Sequence, residues 1–356
     1  MLYFLFKAIT VRAVFALVTS FIMTVFLIPF MIKNFKSINI GQQVREDGPE
    51  THHVKTGIPT MGGIVIIIAI IMTSVFWMRD NAFKYILIFT AFYFGMIGFV
   101  DDILKIKYKN SEGLSSTAKL AFQFLFGFFL AFILITFELF PKDVMTAVNV
   151  PFIGMVGLGY FYLVMVSFVE VGTSNAVNFA DGLDGLAAGM AIVVTIIFSA
   201  IAYICGNSIF SAHLGIPFIS GSGEITVLGA AMIGSLSGFL WYNCHPASIF
   251  MGDTGSQAIG GLIGTIAVLT KSEIYLLIIG FLFVVEVLSV IIQTTYFKFT
   301  KKRYGEGKRV FLMTPIHHHY EEKGWHETKV VIRFWIITVV SALFGAVVFA
   351  SNVLTK

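Results

Sequence analysis

The chain has 356 residues, 57% of them hydrophobic and only 12% charged, with a mean hydropathy of +0.88. Soluble domains carry about 25% charged residues, so this composition excludes a soluble protein and specifies one that crosses a membrane several times. A net charge of +4 leaves no basic footprint for nucleic acid.

Apolar runs of about 17–25 residues are long enough to span a bilayer. In chain order they fall near 13–32, 62–78, 84–100, 118–139, 151–170, 185–204, 225–242, 256–270, 273–296 and 330–351. Gly and polar residues interrupt the fifth and eighth, which are the weakest. The first run is too long for a cleavable signal and lacks a small-residue cleavage site. No internal repeat or soluble domain stands out, so residues 1–356 read as one polytopic domain. The stretches TAVNVPFIG (146–154) and GIPFISGSGEITV (215–227) have the alternation and turn residues of short β-hairpins. The expected fold is an all-α integral membrane protein of ten spans with short outer hairpins.

With those spans, the loops after spans 1, 3, 5, 7 and 9 share one face. That face holds 17 Lys and Arg against 7 on the other. The positive-inside rule makes it cytoplasmic and puts both termini outside. Cys205 and Cys244 then lie on opposite faces, which excludes a disulfide between them.

Five stretches carry the chemistry, and all fall on the basic face: THHVKTGIPTMGG (51–63), VDDILKIKYKNSEGLSSTAK (100–119), NAVNFADGLDG (175–185), NCHPASIFMGDTGS (243–256) and TPIHHHYEEKGW (314–325). Loops far apart in sequence line one cleft if the helices bundle around it. The plain alternative is that polar residues collect in cytoplasmic loops. That explains the charge but not carboxylates placed at span ends, where an Asp inside the membrane costs roughly 2.5–3.5 kcal/mol.

The adjacent Asp101 and Asp102 end the third apolar run. Side chains of neighbours on a helix diverge by about 100°, so one faces the cleft and the other orients a lysine, with Lys105 in reach. Asn175, Asn178, Asp181 and Asp184 recur every third residue, and capping of the following helix accounts for one of them, not four. Asp253 sits among small residues at the start of a helix, with Asn243 and Phe250 in the same loop. His317, His318 and His319 are consecutive and cannot all point one way. They lack the spacing of a zinc site but suit hydrogen bonds to phosphate or carboxylate. Lys55, Lys105 and Lys119 lie beside these motifs. The basic stretch 298–309 reads by itself as attraction to anionic lipid. Carboxylates with lysines describe a site for Mg²⁺ and phosphates, hence phosphoryl transfer at the membrane surface between a lipid-soluble and a water-soluble substrate. A transporter would need polar groups reaching both faces, and the outer face is bland.

The motifs KTGIPTMGG, FVDDILK, NAVNFADGLDGLAAG, PASIFMGDTGS and TPIHHHYEEKGW occur in the order of the polyprenyl-phosphate N-acetylhexosamine-1-phosphate transferase superfamily, which the whole chain resembles. The three histidines resemble its muramoyl-pentapeptide branch. Ile58 departs from the usual Thr. The resemblance implies transfer of phospho-N-acetylmuramoyl-pentapeptide from UDP to undecaprenyl phosphate, giving lipid I and UMP, the first membrane step of peptidoglycan synthesis. The alternative is a sibling enzyme that uses UDP-N-acetylglucosamine. The resemblance also implies Mg²⁺, ten membrane helices, a bacterial cytoplasmic membrane and a homodimer. It makes Asp253 the strongest metal ligand and adds Asp101 and Asp102, one of them a candidate base. Lys55, Asp184, Asn243 and Phe250 match positions around the nucleotide. Asn175, Asn178, Asp181, Lys119, Gln293 and His317–His319 match other active-site positions.

Overall fold

The computed structural model of the chain describes residues 6–37, 57–108 and 113–351. Ten long helices account for most of them: α1 (Ile9–Ser37), α2 (Gly63–Trp77), α3 (Ala82–Tyr108), α4 (Ser116–Thr136), α5 (Phe161–Ala180), α6 (Leu186–Cys205), α8 (Ile225–Asn243), α9 (Gly252–Leu269), α11 (Phe281–Tyr304) and α13 (Glu327–Ala350). Three short helices, α7 (Ser208–His213), α10 (Leu276–Ile279) and α12 (Ile316–Glu322), lie between them. Among the described residues, eight helices are long and apolar enough to cross a membrane. The fold is that of an all-α polytopic membrane protein.

The two long helices outside that set are α2, with 15 residues, and α9. α9 was the weak eighth run, and its position explains the weakness. It packs against α3, α5, α2 and α6, and every residue from Thr254 to Leu269 is buried. A helix enclosed by protein has no lipid to face, so it tolerates Gly, Thr, Ser and Gln that packing and hydrogen bonds require. Around it, α1 lies along α8, and α4 along α5.

Three expected spans begin or end elsewhere. The fifth starts ten residues later than 151. The intervening residues form β1 (Ala147–Val150) and β2 (Gly154–Gly157), an antiparallel hairpin pairing Ala147 with Gly157 and Val150 with Gly154. α5 instead takes in Glu170, whose Oε1 accepts from Thr265 Oγ1 at 2.8 Å. Polar residues matched across the α5–α9 interface lower the hydropathy without opposing the helix. The ninth span begins at Phe281, not 273. It runs through Lys301, Lys302 and Arg303 to a glycine stop at Gly305, where φ is +81°, so the basic stretch begins within a helix. The third extends to Tyr108, which places Asp101 and Asp102 inside α3 and not at its end.

The second expected hairpin does not form. Residues 222–224 make a single 3₁₀ turn leading into α8. The reason is Glu224, which accepts from both terminal nitrogens of Arg12 and from the Arg79 N–H. This buried carboxylate–guanidinium pair ties α1 to the start of α8. It also makes that end of the bundle less bland than its sequence.

Candidate active site

At the other end of the bundle, α3, α4, α5 and α9 bring their polar residues together. α3 meets α9 through Gly98: a Cβ there would lie 2.1 Å from the Asp253 carbonyl oxygen. α2 meets α9 through Gly63, where a Cβ would lie 2.1 Å from the Gly255 nitrogen. The chain before α2 is stitched to the chain before α9. Phe250 N–H donates to Pro59 O, Gly62 N–H to Phe250 O and Gly63 N–H to Met251 O, at 2.8–2.9 Å. The first and fourth motifs thus form one platform that fixes the start of α9 and, on it, Asp253.

Asp101, Asp102 and Asp253 each offer a carboxylate oxygen within 4.8 Å of the others. Two ammonium groups sit on this trio. Lys119 Nζ lies 2.8 Å from Asp253 Oδ2 and 3.1 Å from Asp101 Oδ1. Lys105 Nζ lies 2.7 Å from Asp101 Oδ2 and 3.2 Å from Asp253 Oδ2. The other oxygen of Asp253 accepts from Asn178 Nδ2 at 3.0 Å, and the same amide donates to Ser256 Oγ. Asp101 and Asp253 share the two lysines while Asp102 contacts neither, so three carboxylates stand beside two ammonium groups. Their oxygens are the hard donors a divalent cation prefers, so these residues fit such an ion.

The two adjacent carboxylates diverge. Asp101 faces the lysines and accepts from Leu114 N–H at 2.8 Å. Asp102 accepts from the N–H groups of Asp253 and Thr254 at 3.1 and 2.9 Å, and from Thr254 Oγ1 at 2.7 Å. It therefore caps the N-terminus of α9 from another helix. Lys105 reaches Asp101, four residues earlier, and not Asp102.

The other positions separate into those that reach the trio and those that support it. Asp181 follows α5 directly, and burial, reinforced by the charges of Asp253 and Asp102, pushes its carboxyl up to about 8. Asp184 accepts from Ala247 N–H and pairs with His245 Nδ1 at 3.0 Å, while its own N–H donates to Glu327 Oε1. Asn243 accepts from Gly185 N–H and donates to Ile249 O, locking the third motif to the fourth, with Phe250 half-buried in the same turn. Asn175 stands a turn deeper on α5 than Asn178. Its amide donates to Gln123 Oε1 and Val171 O, so it supports the site from below. Gln293 accepts from Val310 and Phe311 N–H and donates to Phe311 O, which pins the chain leading to the histidines. Lys55 lies outside the described residues.

The three histidines point three ways. His317, fully buried, meets Glu286 Oε1 through Nδ1 at 3.0 Å. His318 meets Glu321 at 2.7 Å. His319 Nδ1 accepts from Leu312 N–H; partial burial and the Lys323 charge lower its pKa. Sequence reasoning missed Glu286, Glu327, His245, Thr254 and Ser256. Glu286 carried a usable signal, since an ionisable residue inside an apolar span is a functional candidate by default. Glu327 and His245 carried none, because their partners lie 143 and 61 residues away from them.

A polytopic helical bundle with carboxylates, amides, lysines and histidines gathered at one end has the form of a membrane-embedded transferase. Residues 83–271 match the sequence model of glycosyl transferase family 4. The phospho-N-acetylmuramoyl-pentapeptide-transferase of Desulfotalea psychrophila is 44% identical over 343 residues, covering 96% of this chain and 93% of that one. The enzyme of the same name from Thermodesulfovibrio yellowstonii is 46% identical over 345 residues, with the same coverage. The chain belongs to the phospho-N-acetylmuramoyl-pentapeptide-transferase family, and it is an enzyme.

Proposed function

We propose that the chain transfers phospho-N-acetylmuramoyl-pentapeptide from its UDP-linked donor to undecaprenyl phosphate, releasing UMP and making lipid I. One observation carries this reading. In the Asp101–Lys105–Lys119–Asp253 cluster two lysines stand 2.7–3.2 Å from carboxylate oxygens, which sets cations for phosphate beside oxygen donors for a divalent ion.

An oxygen of the lipid phosphate attacks the phosphorus that carries the sugar. A new P–O–P link forms, the bond to the UMP phosphate breaks, and UMP leaves with the electron pair. A phosphate oxygen is nucleophilic at neutral pH, so little basicity is required. Lys105 and Lys119 bind and align phosphoryl oxygens. Asp101 holds both lysines, and Asp102 fixes the helix end that carries Asp253. Positioning and charge supply most of the rate. Asp253, with Asp101 and Asp102 near it, would hold Mg²⁺, whose charge helps the diphosphate part. Asp184, Asn243, Phe250 and Lys55 are proposed around the nucleotide, and Asn178, Asp181 and the histidines around the diphosphate and sugar.

The site faces the cytoplasm and both termini lie outside in this reading, from the basic-residue count. The enzyme works in a bacterial cytoplasmic membrane as a homodimer, as the family resemblance implies. The test is radiolabelled transfer in detergent to undecaprenyl phosphate, offering UDP-N-acetylmuramoyl-pentapeptide and UDP-N-acetylglucosamine separately, with and without Mg²⁺. Product from the first donor alone supports the proposal, and product from the second alone overturns it.

A further inference from the structure

Glu286 and His317 form a buried pair that the reaction as described does not use. Both are 0% exposed. Glu286 sits two helical turns before Gln293 on α11, so the two share a face, and both contact the segment 310–319. Removing a carboxylate and an imidazole from water is costly, and apolar residues of similar volume pack at least as well. A purely structural pair would also have its outer atoms satisfied. Here Glu286 Oε2 and His317 Nε2 are buried with no hydrogen-bond partner among the described residues. The free nitrogen has a direction: a Cβ on Gly182 would lie 2.3 Å from it. Gly182 stands between Asp181 and Asp184, and the Asp181 carboxyl is near enough to feel the charge of Asp253. The ring of His318 packs on that of His317 at 4.1 Å between centroids, which leaves little room for rotation.

We propose that Glu286 is a positioning residue: held at Nδ1 by this carboxylate, His317 keeps a proton on Nε2 and turns that N–H toward the Asp181–Asp184 loop, as a donor to a phosphoryl oxygen of the nucleotide-sugar diphosphate. The proposal rests on the transferase reading. A partner on the far nitrogen fixes which nitrogen of a histidine faces its target. Gly182 is required there because a Cβ would overlap the His317 ring, at 2.3 Å from Nε2 and 2.9 Å from Cε1.

The test compares Glu286→Leu, Glu286→Gln and His317→Ala, each checked for a monodisperse folded peak in detergent. Outer partners of this kind typically contribute 10–100-fold to activity. Glu286→Leu is therefore expected to lower kcat by about 30-fold, with KM for the nucleotide sugar changed by less than about threefold. Glu286→Gln, whose amide can donate to Nδ1, should stay within about fivefold of the wild type. In the His317→Ala background, Glu286→Leu should cost less than about threefold more, because the two act as one unit. Imidazole ¹⁵N signals of His317, identified by their loss in His317→Ala, should show a protonated Nε2 in the wild type and in Glu286→Gln, and mixed tautomers in Glu286→Leu. Unchanged kcat in Glu286→Leu, additive losses in the double variant, a Gln variant as poor as Leu, or nitrogen signals that ignore position 286 would each overturn the proposal. A wild-type chain that transfers nothing would overturn the transferase reading instead, and the nitrogen signals would still decide the role of Glu286.

Discussion

The carboxylate of Asp102 accepts both the backbone N–H and the hydroxyl of Thr254, at 2.9 and 2.7 Å. Its sequence neighbour Asp101 makes neither contact and faces Lys105 and Lys119. Two identical side chains, adjacent in sequence, thus serve different ends. One holds the cations, and the other holds the helix end that presents Asp253.

Asp102→Ala should therefore lose stability as well as activity. It leaves buried N–H donors unpaired, at a cost of about 1–3 kcal/mol. Asp102→Asn keeps one acceptor oxygen and should unfold closer to the wild type. Thermal unfolding in detergent compares the two. Added Mg²⁺ should restore activity to neither.

Asp253→Asn removes one charge at nearly constant shape. Activity should fall by about 10²–10³, the scale of losing one group that stabilises reaction charge, and should recover in part at high Mg²⁺. Titrating activity against Mg²⁺ for Asp253→Asn, Asp101→Asn and the wild type tests this. Wild-type Mg²⁺ dependence in Asp253→Asn would remove it from the metal site.

Lys119→Met should move the Mg²⁺ requirement the opposite way. Its ammonium lies 2.8 Å from Asp253 Oδ2 and competes there with a cation. Without it the Mg²⁺ concentration for half activity should fall, while kcat also falls because a phosphate-binding charge is lost. A raised Mg²⁺ requirement would show that the lysine assists metal binding.

Gly98→Ala should disrupt the site from a distance. The added methyl would meet the Asp253 carbonyl oxygen, a backbone atom, at 2.1 Å, so α3 and α9 must separate. Overpacking of this kind costs about 1–3 kcal/mol or more. The folded yield and kcat should both fall, although no polar side chain has been removed.

Cys244 is exposed and Cys205 is buried, so the native chain reports its own orientation. Cys244 follows α8 at the end that holds the site. A membrane-impermeant maleimide should label it in inverted vesicles and leave it unlabelled in intact cells. The reverse pattern would put the site outside.

The sequence alone determined the membrane class, because 57% apolar residues in long runs permit little else. It also marked out the motifs proposed to carry chemistry, since carboxylates beside apolar runs are costly unless used. The adjacent aspartates were bound to diverge, because a helix turns about 100° per residue. Only the tertiary structure decided which one faced the lysines, since that depends on where α9 crosses α3 at Gly98. It also showed α9 enclosed on all sides, which its broken hydropathy concealed: hydropathy measures preference for lipid, and a helix surrounded by protein never meets lipid. The second hairpin failed for a related reason, because Glu224 found Arg12, 212 residues away in sequence. The Glu286–His317 pair, the Asp102 cap on Thr254 and the seat of Asp184 on Ala247 are likewise contacts between distant segments. Local propensity cannot encode them, because each exists only once the whole bundle has closed.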